Sequence, residues 1–280
     1  METGDPLVTA QWLKDNLGGP DLRVVDASWI PPFLNPDKSG KDNYDAAHIP
    51  GAVYFDIDTI ADPDSDLSHM LPDAIMFSSR VRKLGLGDGH RLIIYDNNSF
   101  FASARVWWMF RAMGHADVKV LDGGLTAWQA IGGEVEDLPP VVHERHYTAR
   151  KRADLIRDKA QMRALCEAGN AAILDARPQA RFDGSAPDPR KDLPSGHIPG
   201  STCVPASGLI NSDGTMKSAS DLTPMLGQHA NRPVVTTCGS GISAAVIALA
   251  LARVGNWDAA VYDGSWSEWA SDPDSPIGTK

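Results

Sequence analysis

The sequence predicts an α/β protein made of two tandem copies of one unit, each a mainly parallel sheet flanked by helices. Three observations predict it. Short β-branched runs alternate with longer apolar runs of helical length, the pattern of a parallel sheet covered on both faces. Four blocks recur in the same order in the two halves, which marks an internal repeat. A chain of 280 residues is long enough for two domains, each able to bury a core.

In the first half, Thr9 caps a helix that Gly18 ends, and residues 22–27 form the next strand around Val24-Val25-Asp26-Ala27. His48-Ile49-Pro50-Gly51 follows, then a strand through Leu92-Ile93-Ile94-Tyr95-Asp96 and an apolar helix ended by Gly114. The half closes on Leu121-Asp122-Gly123-Gly124-Leu125-Thr126-Ala127-Trp128. The second half repeats this order. A helix over Lys159–Ala168 stops at Gly169, and residues 172–176 form a strand through Ile173-Leu174-Asp175-Ala176. After His197-Ile198-Pro199-Gly200 come a strand over residues 234–238, an apolar helix ended by Gly255, and Tyr262-Asp263-Gly264-Ser265-Trp266-Ser267-Glu268-Trp269. Asp175 follows Asp26 by 149 residues, as His197 follows His48; Gly255 follows Gly114 by 141, as Trp269 follows Trp128. Residues 139–152 contain Pro139-Pro140 and Arg150-Lys151-Arg152 without periodicity and read as a linker between domains spanning 1–138 and 153–280.

Composition narrows the function. A formal net charge of −10 argues against nucleic acid as a partner. No apolar run reaches the ~18 residues of a membrane span, and the acidic start lacks a basic-then-apolar leader pattern. Cys166, Cys203 and Cys238 are an odd set without a Cys-x-x-Cys pair. A disulfide framework and a zinc site are therefore not expected, no cofactor is implied, and a reducing cytoplasmic setting is the default.

The chemistry centres on Cys238-Gly239-Ser240-Gly241-Ile242-Ser243, between the strand over 234–238 and the helix that starts at Ala244. A helix N-terminus presents unpaired N–H groups with partial positive charge. Glycines let several N–H groups converge on one point. A sulfur there is stabilised as thiolate by up to about 2 kcal/mol, which makes Cys238 the candidate nucleophile rather than an inert buried cysteine. The first half has Asp96 at the matching place, followed by Asn97-Asn98-Ser99-Phe100-Phe101 without the paired glycines. Asp96 reads as a loop cap, and the first domain as a non-catalytic support that walls the site.

Taken with Arg105-Val106-Trp107-Trp108-Met109-Phe110, Arg181-Phe182-Asp183-Gly184 and Asp263-Gly264-Ser265-Trp266, this sequence resembles the tandem-domain rhodanese family of sulfurtransferases. The resemblance covers nearly the whole chain. The loop is most similar to the 3-mercaptopyruvate-using branch, which reads Cys-Gly-Ser-Gly-Val-Thr. The thiosulfate-using branch carries Cys-Arg-Lys-Gly, and those two cations are missing here. The resemblance implies a ping-pong transfer: a Cys238 persulfide forms, pyruvate leaves, and a thiol (thioredoxin among the candidates) or cyanide accepts the sulfur. It implies substrate-binding roles for Arg181, Arg190 and the loop residues Gly239, Gly241, Ile242 and Ser243. It also implies a relay in which Asp58 and His69 assist Ser240 across the domain interface, the logic of base plus orienter. Two other readings compete, a thiosulfate sulfurtransferase and a non-catalytic sulfur carrier. A phosphatase is excluded on spacing, because that chemistry needs an arginine where Ala244 stands. His48 and His197 recur in both halves and read as structural, the tryptophans as core and interdomain packing, and Cys166 and Cys203 as inert.

Overall fold

The computed structural model describes residues 4–32, 34–190 and 192–279. The first half holds β1 (Leu7–Val8), α1 (Ala10–Asn16), β2 (Leu22–Asp26), α2 (Gly40–Ala46), β3 (Val53–Tyr54), α3 (Ile57–Ile60), α4 (Ala74–Lys83), β4 (Arg91–Tyr95), α5 (Ser103–Ala112), β5 (Val118–Leu121) and α6 (Gly124–Ala130). The second holds β6 (Ile156–Arg157), α7 (Lys159–Ala168), β7 (Ala172–Asp175), α8 (Gln179–Phe182), β8 (Ser201–Cys203), α9 (Ala219–Leu226), β9 (Val234–Thr237), α10 (Ala244–Arg253), β10 (Ala260–Tyr262) and α11 (Ser265–Ala270). The strand orders are β1-β5-β4-β2-β3 and β6-β10-β9-β7-β8, the same permutation twice. Every strand pairing within these sheets is parallel. The repeat written in the sequence is thus a repeat of topology, with β4 and β9 as the matching central strands.

Alternation along the strands distributes the core. Successive side chains point to opposite faces, so Val25, Leu92 and Ile94 face one core while Val24, Ile93 and Tyr95 face another. In the second sheet Leu174, Val234 and Val261 face the first of these cores, and Ile173, Val235 and Ala260 a third. One apolar core therefore lies between the two sheets and is shared by both halves, with one further core on the outer face of each sheet. The shared core is filled by α5 and α10, whose residues are buried almost throughout and which pack on each other. That burial explains their lack of a polar face in the sequence.

Strands β2, β4 and β7 stop one residue short of the predicted ends. The cause is the same each time. Asp26, Asp96 and Asp175 turn their carboxylates onto the N–H of the residue two further on, at 2.7, 3.2 and 2.9 Å, which ends the ladder in an Asx turn. Residues 138–152 carry no helix or strand. They lie along the first half, with Arg150 and Arg152 N–H donating to the carbonyls of Met113 and Ala112 at 2.8 Å each. Among the described residues no helix is long and apolar enough to cross a membrane.

The recurring histidines have one structural job. His48 stacks on Tyr44 with centroids 3.9 Å apart, and its Nδ1 lies 2.7 Å from the Tyr44 carbonyl. His197 stacks on Phe182 at 3.9 Å, with Nδ1 2.8 Å from the Phe182 carbonyl. Trp107 packs on Trp257 from the other half at 6.4 Å, and Trp108 Nε1 donates to the Leu155 carbonyl at 3.1 Å.

Candidate active site

Cys238 follows the central strand β9 and is 2% exposed, set against the shared core. Its loop is held from behind. The Cys238 N–H donates to Ser265 Oγ at 3.1 Å, and that hydroxyl donates to the Tyr262 carbonyl at 2.8 Å. The Cys238 carbonyl accepts from the Trp266 N–H at 3.0 Å. The Gly239 carbonyl accepts from both the N–H and the Oγ of Ser267, at 2.9 and 2.7 Å. The Gly241 carbonyl accepts from Arg105 Nη1 at 3.3 Å. With the carbonyls drawn back, the N–H groups are left over: none of those of Gly239, Ser240, Gly241, Ile242 and Ser243 has an acceptor among the described residues. Five unpaired donors beside a sulfur make a ready anion cradle.

The first half shows the same cradle closed. The Asp96 carboxylate accepts from the N–H groups of Asn98, Phe100, Ala102 and Ser103 at 2.8–3.2 Å. A carboxylate of the chain itself holds the place that the second half leaves open. The capping role read for Asp96 from the sequence is what its contacts provide.

Within the loop the side chains divide. Ile242 is buried in the core, so only its backbone faces the site, whereas Ser240 and Ser243 are part-exposed. Gly241 has φ +79°, and a Cβ there would lie 2.7 Å from the Asp263 carbonyl oxygen. A Cβ on Gly239 would lie 3.0 Å from Arg190 Nη1, which puts that guanidinium against the loop. Arg190 is held by Asp188, whose Oδ1 is 3.2 Å from Nη1. Arg181 stands on the single-turn helix α8 rather than in an irregular loop. Its Nε is buried with no hydrogen-bond partner among the described residues. Burial lowers the Arg181 guanidinium from its ordinary pKa, opposed by the Asp188 carboxylate and by Cys238. A buried donor without an acceptor is costly unless a ligand supplies one. Arg181 and Ser243 line a cavity of about 680 Å³ to which the first half contributes Asn98, Ser99 and Phe101.

Asp58 and His69 are paired: Asp58 Oδ1 lies 2.7 Å from His69 Nδ1. The cap of α3 is Asp56, not Asp58, which leaves the Asp58 carboxylate for this contact. Burial acts to raise the Asp58 carboxyl, but hydrogen bonds from His69 and Trp29 outweigh it and hold the group below its ordinary range. His69 has φ +66°, a conformation that persists only where surroundings enforce it. Arg105 enforces it here, donating Nη2 to the His69 carbonyl and Nη1 to Asp263 Oδ1. Asp263 Oδ2 accepts from the Leu71 N–H at 2.7 Å. One buried ion pair thus ties the His69 segment to the Cys238 loop. Arg105, Asp263, Ser265 and Ser267 carry no role in the sequence reading, although Arg105, Asp263 and Ser265 stand in two of its family blocks.

Comparison with known proteins places this geometry. A rhodanese-like domain profile matches residues 9–131 and again 158–272. The chain belongs to the rhodanese family. It is 38% identical to thiosulfate/3-mercaptopyruvate sulfurtransferase 2 of Arabidopsis thaliana, over 99% of this chain and 87% of that protein. It is 35% identical to the 3-mercaptopyruvate sulfurtransferase of Escherichia coli K12, over 96% of each. The crystal structure of the 3-mercaptopyruvate sulfotransferase SseA from Escherichia coli superposes with a TM-score of 0.85 at 33% identity, covering 94% of this rhodanese and 99% of that chain.

Proposed function

We propose that this rhodanese takes sulfur from 3-mercaptopyruvate and passes it, through a persulfide on Cys238, to a thiol or cyanide. The observation that carries the reading is the open cradle: five N–H groups in the loop after Cys238 without an acceptor among the described residues, against the four that Asp96 closes in the first half. A thiolate and a persulfide anion are what such a cradle stabilises. Residues 153–280 are the catalytic domain, 1–138 the non-catalytic one, and 139–152 the linker.

The steps balance as follows. The Cys238 thiolate attacks the donor sulfur and the C–S bond breaks. Its electron pair goes to C3, which takes the proton of the donor thiol and becomes the methyl group of pyruvate. Ser240 carries that proton, assisted by His69 and its partner Asp58. Arg181 and Arg190 hold the donor carboxylate and keto oxygen, aided by the loop N–H groups of Gly239, Gly241, Ile242 and Ser243. An acceptor thiolate or cyanide then attacks the outer sulfur and Cys238 leaves as thiolate. We infer a protein thiol such as thioredoxin as the acceptor and the reducing cytoplasm as the compartment.

Thiosulfate is the second reading, favoured by the Arabidopsis relative, whose name covers both donors. The test is kcat/KM for the two donors with one thiol acceptor. A preference for mercaptopyruvate of about tenfold or more, ~1.4 kcal/mol in the transition state, is the expected result. A thiosulfate preference overturns the role given to Ser240 and the relay. Formation of a persulfide without turnover on either donor moves the protein to a sulfur carrier.

A further inference from the structure

The first half's counterpart of the active loop carries Asp96 where the second half has Cys238, and it is joined to the Asp58–His69 pair through one side chain outside it, Trp29. The indole of Trp29 is 7% exposed. Its Nε1–H donates to Asp58 Oδ2 at 2.8 Å, while the other oxygen of the same carboxylate meets His69 Nδ1 at 2.7 Å. The indole also stands edge-on to the His69 ring, with centroids 4.9 Å apart and planes at 82°. Trp29 is in turn gripped by the degenerate loop. Asn98 Nδ2 donates to its carbonyl at 2.8 Å, and Phe101 stacks on its ring at 5.9 Å with 18° between planes. The Asp96 carboxylate fixes that loop through four N–H groups.

We propose that Trp29 is a positioning residue for the relay and that the loop over residues 96–101 is kept to hold it. This rests on the relay reading given above. A carboxylate can rotate about its bond to Cβ. With one oxygen taken by the indole N–H, the other is kept within 2.7 Å of His69 Nδ1. An ionised Asp58 at that distance favours a proton on Nδ1, the tautomer in which Nε2 carries the free lone pair and can accept a proton from a serine hydroxyl. The edge-on indole limits rotation of the imidazole as well. Loss of the N–H leaves the ring in place but frees the carboxylate, so the population of correctly aimed His69 falls.

The two sulfur donors separate this role from a merely structural one. Breaking the C–S bond of mercaptopyruvate puts an electron pair on carbon, which must be protonated. Breaking the S–S bond of thiosulfate releases sulfite, which needs no proton at pH 7 or above. The experiment compares Trp29→Phe, Asp58→Asn and the double variant on both donors. For Trp29→Phe, kcat for mercaptopyruvate is expected to fall about tenfold with KM within about twofold, a loss of orientation rather than of binding. Thiosulfate turnover is expected to stay within about twofold, and Trp29→Phe added to Asp58→Asn to cost less than about twofold more, because both act through one carboxylate. Equal losses on the two donors, or additive losses in the double variant, overturn the proposal. An effect of Asp58→Asn with none of Trp29→Phe overturns it and leaves the relay standing. No effect of Asp58→Asn on mercaptopyruvate sinks the relay itself. Should Trp29→Phe fail to fold, Asn98→Ala releases the Trp29 carbonyl without touching the ring and carries the same expectations.

Discussion

Arg105 and Asp263 form an ion pair with 2.6 Å between Nη1 and Oδ1, their side chains 0% and 5% exposed, one from each half of the chain. The pair anchors a wider network: Arg105 also donates through its Nη atoms to the carbonyls of His69 and Gly241, and Asp263 also accepts from the Leu71 N–H. Breaking a buried pair by removing one partner strands the other charge and costs about 3–5 kcal/mol. Asp263→Asn keeps the shape and removes the charge. It is expected to lower the unfolding free energy by about that amount and to cut mercaptopyruvate turnover, since the His69 segment loses its anchor. Urea unfolding with a parallel donor assay checks both. A loss below about 1 kcal/mol, the range of an exposed pair, would mean that water reaches the seam.

The Arg105–Asp263 pair also marks where the sequence stops being readable. The repeat, the strand–helix alternation and the Cys238 loop are local patterns of period, block order and glycine placement, and the fold agrees with them. The contacts of Asp58 with His69 and of Arg105 with Asp263 span chain separations that no periodicity encodes. Asp58 carries no local sign that Asp56, two residues earlier, takes the capping role. Ser265 and Ser267 look like ordinary helix-start residues, and only the packing of α11 behind the loop shows that they hold its carbonyls.

The two loop glycines differ in kind. Gly241 has φ +79°, and an added Cβ would meet the Asp263 carbonyl oxygen at 2.7 Å and Arg105 Nη1 at 3.0 Å. A left-handed conformation alone costs a β-carbon about 1–2 kcal/mol, and the backbone clash adds to it. Gly241→Ala is expected to lose more than about 2 kcal/mol of stability. An alanine at 239 meets only the tip of Arg190, at 3.0 and 3.2 Å, and a flexible side chain can move. Gly239→Ala is expected to keep its stability within about 1 kcal/mol and to raise KM for mercaptopyruvate through displaced Arg190. Comparable stability losses in the two variants would contradict this division.

Arg181 has a buried Nε with no hydrogen-bond partner among the described residues, which suits the anion-binding role proposed for it. Arg181→Ala is expected to cost about 2–5 kcal/mol in kcat/KM for mercaptopyruvate, as for a desolvated charge contact. Arg181→Lys keeps the charge without the planar fork and is expected to fall between the two. Steady-state kinetics with a pyruvate readout decide it. An Arg181→Lys variant equal to the unsubstituted protein would show that a point charge suffices.

Acid sensitivity of the fold follows from a different set of groups. His115 is 7% exposed and stacks on Tyr147 at 5.8 Å, with Nε2 2.9 Å from the His90 carbonyl. Burial lowers its pKa, outweighing that hydrogen bond and the nearby Asp117 and Asp88. Burial also lowers His90 and His229. A histidine whose pKa is lower folded than unfolded takes up its proton first in the unfolded chain. Below the unfolded value of about 6.5 the unfolded state then binds more protons, and stability falls with pH until the folded pKa is passed. From this set of groups, unfolding free energy is expected to change little between about pH 7 and 8 and to decline from about pH 6.5 downward. His115→Gln removes one of these contributors, and its curve is expected to decline less steeply over that window whatever its level at neutral pH. Identical slopes for the two proteins between about pH 6.5 and 5 would remove His115 as the cause.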